Sequence, residues 1–166
     1  MSYGDMPMGM NQLKVKVGTT VKELPAGLTL KFKPKLVTAR GRGGDRLRAL
    51  ASSPDGAEWE IEALGLPTDV LGMMMGLTPA TTGVTPNRVT TLASNSTNRL
   101  PYFDVYGKAL GVGADDIHYH LINCKLTDGF EAPMQDAEFT KTAVKGEALD
   151  WKIIQNETAE DLPEDA

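Results

Sequence analysis

Glu58-Trp59-Glu60-Ile61-Glu62-Ala63 alternates charged and apolar residues without interruption. A period of two places Trp59, Ile61 and Ala63 on one face of an extended strand and three glutamates on the other. The same alternation recurs in Leu13-Lys14-Val15-Lys16-Val17, and again in Leu28–Lys33, where Leu28, Leu30 and Phe32 share a face. Turn signals separate such runs: Pro25-Ala26-Gly27, the glycine-rich basic loop Arg40–Asp45, Ser52–Gly56 with its Pro54-Asp55-Gly56, Gly111–Asp116 and Thr127-Asp128-Gly129. Between the second and third lies a short strand candidate, Arg46–Ala51. Arg88–Leu92 and Leu100–Leu110 read as a hairpin around the polar loop Ala93–Arg99. Ile117–Leu126, the extended stretch Ala137–Leu149 and Trp151–Gln155 complete the strand set.

One helix interrupts this pattern, over about residues 67–76. Pro67 suits its opening, Asp69 its first turn, Val70–Met75 supply an apolar body and Gly76 ends it. Many short strands and a single short helix predict a mainly β fold, an antiparallel sandwich or barrel with that helix on its flank. At 166 residues the chain fits one domain, over residues 13–156. Residues 1–12 read as a flexible methionine-rich arm, and 157–166 as an acidic tail that is disordered or orders only in an assembly, with Leu162 its lone apolar candidate.

Charge narrows the function. The net charge of −5 argues against a protein that grips nucleic acid by neutralising phosphates. Residues 1–56 nevertheless carry ten Lys/Arg against four Asp/Glu, and residues 57–166 seven against eighteen. Such polarity suits head-to-tail association of copies, unless strands from the two halves interleave and cancel it. Cys124 is the sole cysteine, which excludes an intramolecular disulfide and fits a reducing compartment. No basic-then-apolar leader opens the chain, and Val70–Leu77 is too short to span a bilayer.

A search for catalytic chemistry finds little. No nucleophile elbow, phosphate-binding loop or His-Glu-x-x-His helix is present. His118, His120 and Cys124 fall on one face of an ideal strand, a weak metal-site alternative that resembles the first motif of cupins without its carboxylate. Asp115-Asp116 reads as a solvated turn pair, and Arg40, Arg42, Arg46 and Arg48 as a basic loop that pairs with acid on a neighbour or stays solvated. The expectation is a protein without enzymatic activity, metal or cofactor.

Asp104-Val105-Tyr106-Gly107-Lys108-Ala109, then His118–Lys125, then Asp136-Ala137-Glu138-Phe139-Thr140 and Ile153–Thr158, occur in an order that resembles the major tail (tail tube) proteins of long, non-contractile-tailed phages. Glu58–Leu66, the Pro67-Thr68-Asp69 helix start and Gly76 resemble the same family, so the likeness spans about 100 residues, Glu58 to Thr158. It implies a virion structural subunit, assembled in the host cytoplasm, that forms hexameric rings stacked into a tube. Other tail proteins, such as the tape measure and tail terminator, would be its partners. DNA would pass without specific binding, and no membrane is involved. On that analogy Met6, Met8, Met10, Arg40, Arg42, Arg46, Arg48, Leu71 and Met74 are candidates for contacts between subunits or rings, although the apolar helix Val70–Met75 that carries the last two is covered either by its own sheet, the favoured reading, or by an adjacent subunit. Glu58, Glu60 and Glu62 form either an ordinary solvent face or a carboxylate lining that repels phosphate. Two other readings are a carbohydrate- or surface-binding β-sandwich module and a small cupin-like metalloprotein. A tube from a contractile tail or a secretion system would share the architecture.

Overall fold

The computed structural model describes residues 10–24, 29–44, 46–110, 115–132, 141–158 and 160–162. Met6, Met8, the turns expected at 25–27 and 111–114, Asp45, the stretch 136–140 and the last four residues lie outside the described residues, as does the side chain of Arg48.

Among the described residues nine strands and one helix follow in chain order: β1 (Met10–Val17), β2 (Thr20–Glu23), β3 (Thr29–Gly43), β4 (Arg46–Leu64), α1 (Thr68–Met75), β5 (Ala80–Thr82), β6 (Val89–Thr91), β7 (Phe103–Leu110), β8 (Asp116–Leu126) and β9 (Lys141–Asn156). Seven strands form one sheet in the order β2-β1-β7-β8-β9-β4-β3, with antiparallel neighbours throughout. β5 and β6 form a separate two-stranded ribbon. The large sheet does not close into a barrel, but it rolls. Phe32 of edge strand β3 reaches across to Tyr119 and Trp151, with ring centroids 5.7 and 6.0 Å apart. The concave side of this roll holds the core. Leu13, Val15, Trp59, Ile61, Val105, Leu121 and Val144 are almost wholly excluded from water there. The Glu58–Ala63 alternation thus delivers Trp59, Ile61 and Ala63 inward, as its period requires.

α1 covers this core as its sequence predicts. Pro67 precedes it, Asp69 sits in its first turn, and Gly76 closes it in a left-handed conformation (φ 67°) that a side-chain-bearing residue resists. Its inward residues are Val70, Leu71, Gly72 and Met74.

Several elements depart from the sequence reading. β1 starts at Met10, which pairs with Ala109 and packs partly buried against the core, so residues 10–12 belong to the sheet and not to the expected arm. Val89–Thr91 pairs with Ala80–Thr82, not with Leu100–Leu110. The partner run Ala80-Thr81-Thr82 is short and polar, so no periodicity marks it, although a Thr81–Thr90 hydroxyl contact of 3.2 Å secures the pairing. Residues from Lys141 to Asn156 form one strand rather than two segments.

The largest departure is at Pro54-Asp55-Gly56. These residues do not turn the chain; they form a bulge inside β4, where the register slips between Pro34↔Ala57 and Leu36↔Pro54. Gly56 adopts φ 71°, and a Cβ there would stand 2.4 Å from the Ala148 carbonyl oxygen. The basic loop at Arg40–Asp45 is correspondingly smaller than expected, because Arg40 and Arg42 belong to β3 and Gly43 pairs with Arg46 across the tip.

This bulge lies on a line of irregularities across the sheet. β8 carries Asn123 at φ 52°, opposite a register shift between Phe103 and Val105 of β7. In β9 alternate residues are buried up to Ala148, after which Trp151 is the next to turn inward. On one side of the line β3, β4 and β9 are joined; on the other, among the described residues, β4 pairs only with β3, and β9 only with β8. The sheet forks there, and the distal part of β3–β4 projects as a two-stranded hairpin.

Candidate assembly surfaces

The outer face beside the core does not carry a bare row of acid. Glu58 and Glu60 stand in register with Lys33 and Lys31 of β3, and Glu60 also faces Lys145 of β9. Lys35 pairs with Glu58 at 3.0 Å and also with Glu147, while Lys145 lies 3.6 Å from Glu60. Hydrogen bonds from Lys35 to Glu147 and Glu58 hold its ammonium above the ordinary lysine pKa. Glu58, Glu60, Glu62 and Glu147 are thus matched in number by Lys31, Lys33, Lys35 and Lys145. These exposed pairs add little stability, but they change the character of the surface. It is charge-balanced, and the two halves of the chain interleave here so that their opposite charges cancel.

Polarity survives at the extremities. Arg40, Arg42 and Arg46 are all exposed near the hairpin tip, and Glu157, Glu160 and Asp161 are exposed at the opposite end of the sequence. The hairpin also displays hydrophobic side chains. Leu36, Val37, Leu47 and Leu50 are 64%, 56%, 53% and 64% exposed, respectively. Successive residues of a strand face opposite ways, so Leu36 and Val37 lie on different faces of the hairpin.

Leu71 and Met74 take no part in an exposed surface. Met74 is wholly buried and Leu71 nearly so, both in the chain's own core beneath α1. The apolar character of the helix arises from this internal packing, which corrects their reading as contact residues.

The histidines and Cys124 are likewise separated. Asn123, in its left-handed conformation, reverses the side on which following residues emerge. His118 and His120 therefore project from the face opposite Cys124, which joins the core. His120 Nε2 lies 3.2 Å from Asp104 Oδ2, and the other oxygen of Asp104 accepts the Asn123 amide at 2.9 Å. The His120 ring stacks on Tyr106 at 4.2 Å. Burial lowers the His120 pKa despite the Asp104 carboxylate, and burial with the same carboxylate lifts Tyr106 to about 12. Burial pushes the Cys124 thiol up as well, away from reactivity. Among the described residues no group of three His, Cys, Asp or Glu is placed to hold a metal ion, and no described helix is long and apolar enough to cross a membrane. Trp59 and Tyr106 are buried and Trp151 packs on the core, so most of the large aromatics support the fold rather than a sugar platform.

Asp116 is the polar residue whose importance the sequence did not signal. It is not a solvated turn residue: its side chain is fully buried. Oδ1 accepts from Asn156 Nδ2 at 2.8 Å, while Oδ2 accepts from the Glu160 amide at 2.8 Å and lies 3.1 Å from His118 Nε2 and 3.3 Å from Lys108 Nζ. Lys108 also donates to the Glu160 carbonyl. Burial alone would raise this carboxyl, but the bonds from Glu160, Asn156, His118 and Lys108 outweigh it and hold the pKa at about 2. Two residues on, Leu162 is 2% exposed. Residues 160–162 are therefore a seated part of the subunit, where the sequence suggested a loose acidic tail.

No family model matches the sequence, and no curated protein does. Solved structures do share the fold. One is a chain of the sheath–tube complex of an extracellular contractile injection system, PVC, in its extended state, with a TM-score of 0.53, 14% identity, and 87% of this chain and 88% of that chain covered. Another is a chain from the sheath/tube terminator of the same kind of particle, with a TM-score of 0.51, 15% identity, and 92% and 98% covered. Both likenesses run over nearly the full length of each chain, so the fold is that of subunits found in injection-system tubes and their terminators.

Proposed function

We propose that this chain is a structural subunit of a phage-tail-like tube, and that copies of it close into rings, hexameric by the sequence resemblance, that stack around a conduit for DNA. The observation that carries this reading is the projecting β3–β4 hairpin. A two-stranded ribbon with apolar residues on both faces is marginal in water and needs cover. The fold it shares with tube and terminator chains supplies the context in which copies provide that cover. The sequence resemblance favours a non-contractile tail, whereas the structures that share the fold belong to contractile particles, and the subunit fold suits either.

In this reading Glu58, Glu60 and Glu62 face the bore. Their interleaving with Lys31, Lys33, Lys35 and Lys145 makes the lining neutral rather than repulsive, so a passing polyanion meets lysines set among carboxylates, two of them, Lys35 and Lys145, already ion-paired. Arg40, Arg42, Arg46 and Arg48, with Met6 and Met8 of the arm, are left for contacts between subunits and rings. Tape-measure and terminator proteins would be the other partners, and the virion tail the site of action.

Light scattering and negative-stain imaging of the purified chain test this directly. Rings or tubes with an open bore are expected, and a chain that stays monomeric at every concentration overturns the proposal. Changing Glu58, Glu60 and Glu62 together to Lys should leave ring formation intact while making the tube retain DNA at low salt. Unchanged DNA passage in assembled particles would remove the three glutamates from the bore.

A further inference from the structure

Arginine is concentrated in one element. Four of the chain's six arginines lie between Leu36 and Pro54, where Asp45 is the sole acid, while all eleven lysines lie outside that stretch. The charge-balanced face of the sheet is thus built with lysine, and the projecting hairpin with arginine. Arg40 stands opposite Leu50, and Arg42 opposite Leu47. Opposed residues share a face, as do alternate residues of one strand, so Leu36, Arg40, Arg42, Leu47 and Leu50 emerge together. The register shift between Gly41 and Arg42 makes this possible. It leaves Arg48 without an opposite number, which brings Leu47 and Leu50, three apart in β4, onto one side. All five of these residues are exposed. Val37, Ala39, Gly41, Ala49 and Ala51 form the other face, where all but Val37 are small.

We infer that the β3–β4 hairpin of an unassembled copy binds the surface of a bilayer rich in anionic phospholipid, its arginines on headgroup phosphates and its leucines at the acyl boundary. Each half of the face points to this occupant. A guanidinium presents a planar fork of donors that fits phosphate bidentately, which a lysine ammonium does not. Leucines beside cations suit an interfacial element, because burial of apolar area and attraction to anionic headgroups act together. A nucleic acid offers similar phosphates, but proteins that hold single strands stack the bases on aromatic side chains. Residues 36–54 contain no aromatic, and the leucines would stay in water against a duplex backbone. Contact is confined to the hairpin, because the chain as a whole carries −5 and an anionic surface repels the rest of it. The inference goes beyond the tube reading and does not require it, since it concerns a copy without a neighbour. Under that reading, adsorption and ring formation compete for one hairpin. It also sets a lipid surface where the sequence resemblance implied no membrane.

Vesicle binding by the full-length chain, diluted until sedimentation velocity finds it monomeric, tests this. The vesicles are phosphatidylcholine alone, or phosphatidylcholine and phosphatidylglycerol at about 2:1. Leu47→Cys carries an environment-sensitive fluorophore, attached selectively because the native Cys124 is buried and its thiol pKa raised. A blue shift, and binding at least about tenfold tighter to the mixed vesicles than to phosphatidylcholine, are expected, both weakened by high salt. Arg40→Gln with Arg42→Gln, and separately Leu36→Ser with Leu50→Ser, should each weaken binding at least about tenfold. Near-UV circular dichroism of Trp59 and Trp151 checks that these variants fold, and the labelled chain reads the contact without them. Equal binding to both vesicles, binding that survives loss of the arginines or of the leucines, or displacement by inorganic phosphate at matched ionic strength overturns the inference. So does tighter binding to a DNA duplex than to the mixed vesicles. Each of these outcomes leaves the tube reading intact. A chain that binds the mixed vesicles but never assembles, or rings that bind them as tightly as the monomer does, would instead count against the tube reading alone.

Discussion

Replacing Asp116 by Asn keeps the shape of the side chain and removes its charge. The amide retains one oxygen, so it can still accept from either Asn156 or the Glu160 amide, but not from both in the present arrangement. One buried donor then goes unpaired, at about 1–3 kcal/mol. Lys108, 7% exposed, also loses its counter-ion, and breaking a buried pair from one side costs about 3–5 kcal/mol. These terms overlap, so about 3–4 kcal/mol is expected for the substitution, a large share of a domain's usual 5–15 kcal/mol. Urea unfolding followed by the fluorescence of Trp59 and Trp151 measures it. The pH dependence supplies a second check. The folded-state carboxyl titrates at about 2, against an ordinary 3.8. A depressed pKa contributes stability that is fully present above the unfolded value and is lost as pH falls through the folded one. The gap between wild type and Asp116→Asn should therefore be constant above about pH 5 and narrow by at most about 2 kcal/mol between pH 4 and 2. Replacing Lys108 by Met in the Asp116→Asn background should restore part of the loss, because the uncompensated cation is removed. A variant within about 1 kcal/mol of wild type at pH 7, with the Glu160 amide still protected from exchange, would refute the account of Asp116 as the anchor of the C-terminal segment.

Other substitutions probe separate features. Gly146→Ala would place a Cβ 2.2 Å from the Lys125 carbonyl oxygen and 2.5 Å from Trp59 Cζ2, so a loss of about 3 kcal/mol and a lower Tm by calorimetry are expected; an unchanged Tm would show that the strands separate freely. Gly56→Ala combines a left-handed backbone with a 2.4 Å contact to Ala148 and should cost about 2 kcal/mol or more, while also impairing ring formation through a displaced hairpin. Rings of normal yield would uncouple the bulge from assembly. Cys124, buried and with its thiol pKa raised, should react with a disulfide reagent at pH 8 at least about a hundredfold more slowly in the native chain than in urea; comparable rates would mean that the core opens readily.

What the sequence revealed and what it concealed divide by distance along the chain. Trp59, Ile61 and Ala63 were readable as core because alternation is a local signal, and α1 because Pro67, Asp69 and Gly76 each act within one turn of it. The charge balance around the glutamate row was hidden for the complementary reason. Its neutralising lysines come from β3 and β9, and only cross-strand register brings them alongside. Asp116 was hidden in the same way, since its partners Asn156 and Glu160 lie 40 and 44 residues further on. Pro54-Asp55-Gly56 is a different kind of failure. A left-handed glycine serves a turn and a bulge equally well, and nothing in the triplet itself says whether the strand resumes. The fall of His118 and Cys124 on opposite faces has a similar origin, because a single left-handed residue at Asn123 is enough to reverse strand parity.

The line of irregularities also separates what a single copy can stabilise from what it cannot. On its near side, β4 lies between β3 and β9, and Trp59, Ile61 and Val144 are removed from water by the rolled sheet and α1. Beyond Gly56 the same strand has one neighbour, and Leu47 and Leu50 gain nothing from burial. A continuous sheet would have satisfied these residues within the chain by keeping Ala51 beside Ile154. A left-handed glycine in front of the Ala148 carbonyl, a place no side chain could take, instead marks where the strand leaves β9 and loses that pairing. That cost is not recovered within one copy, and under the proposed tube role the bulge transfers part of the stabilisation of this fold from the subunit to the assembly.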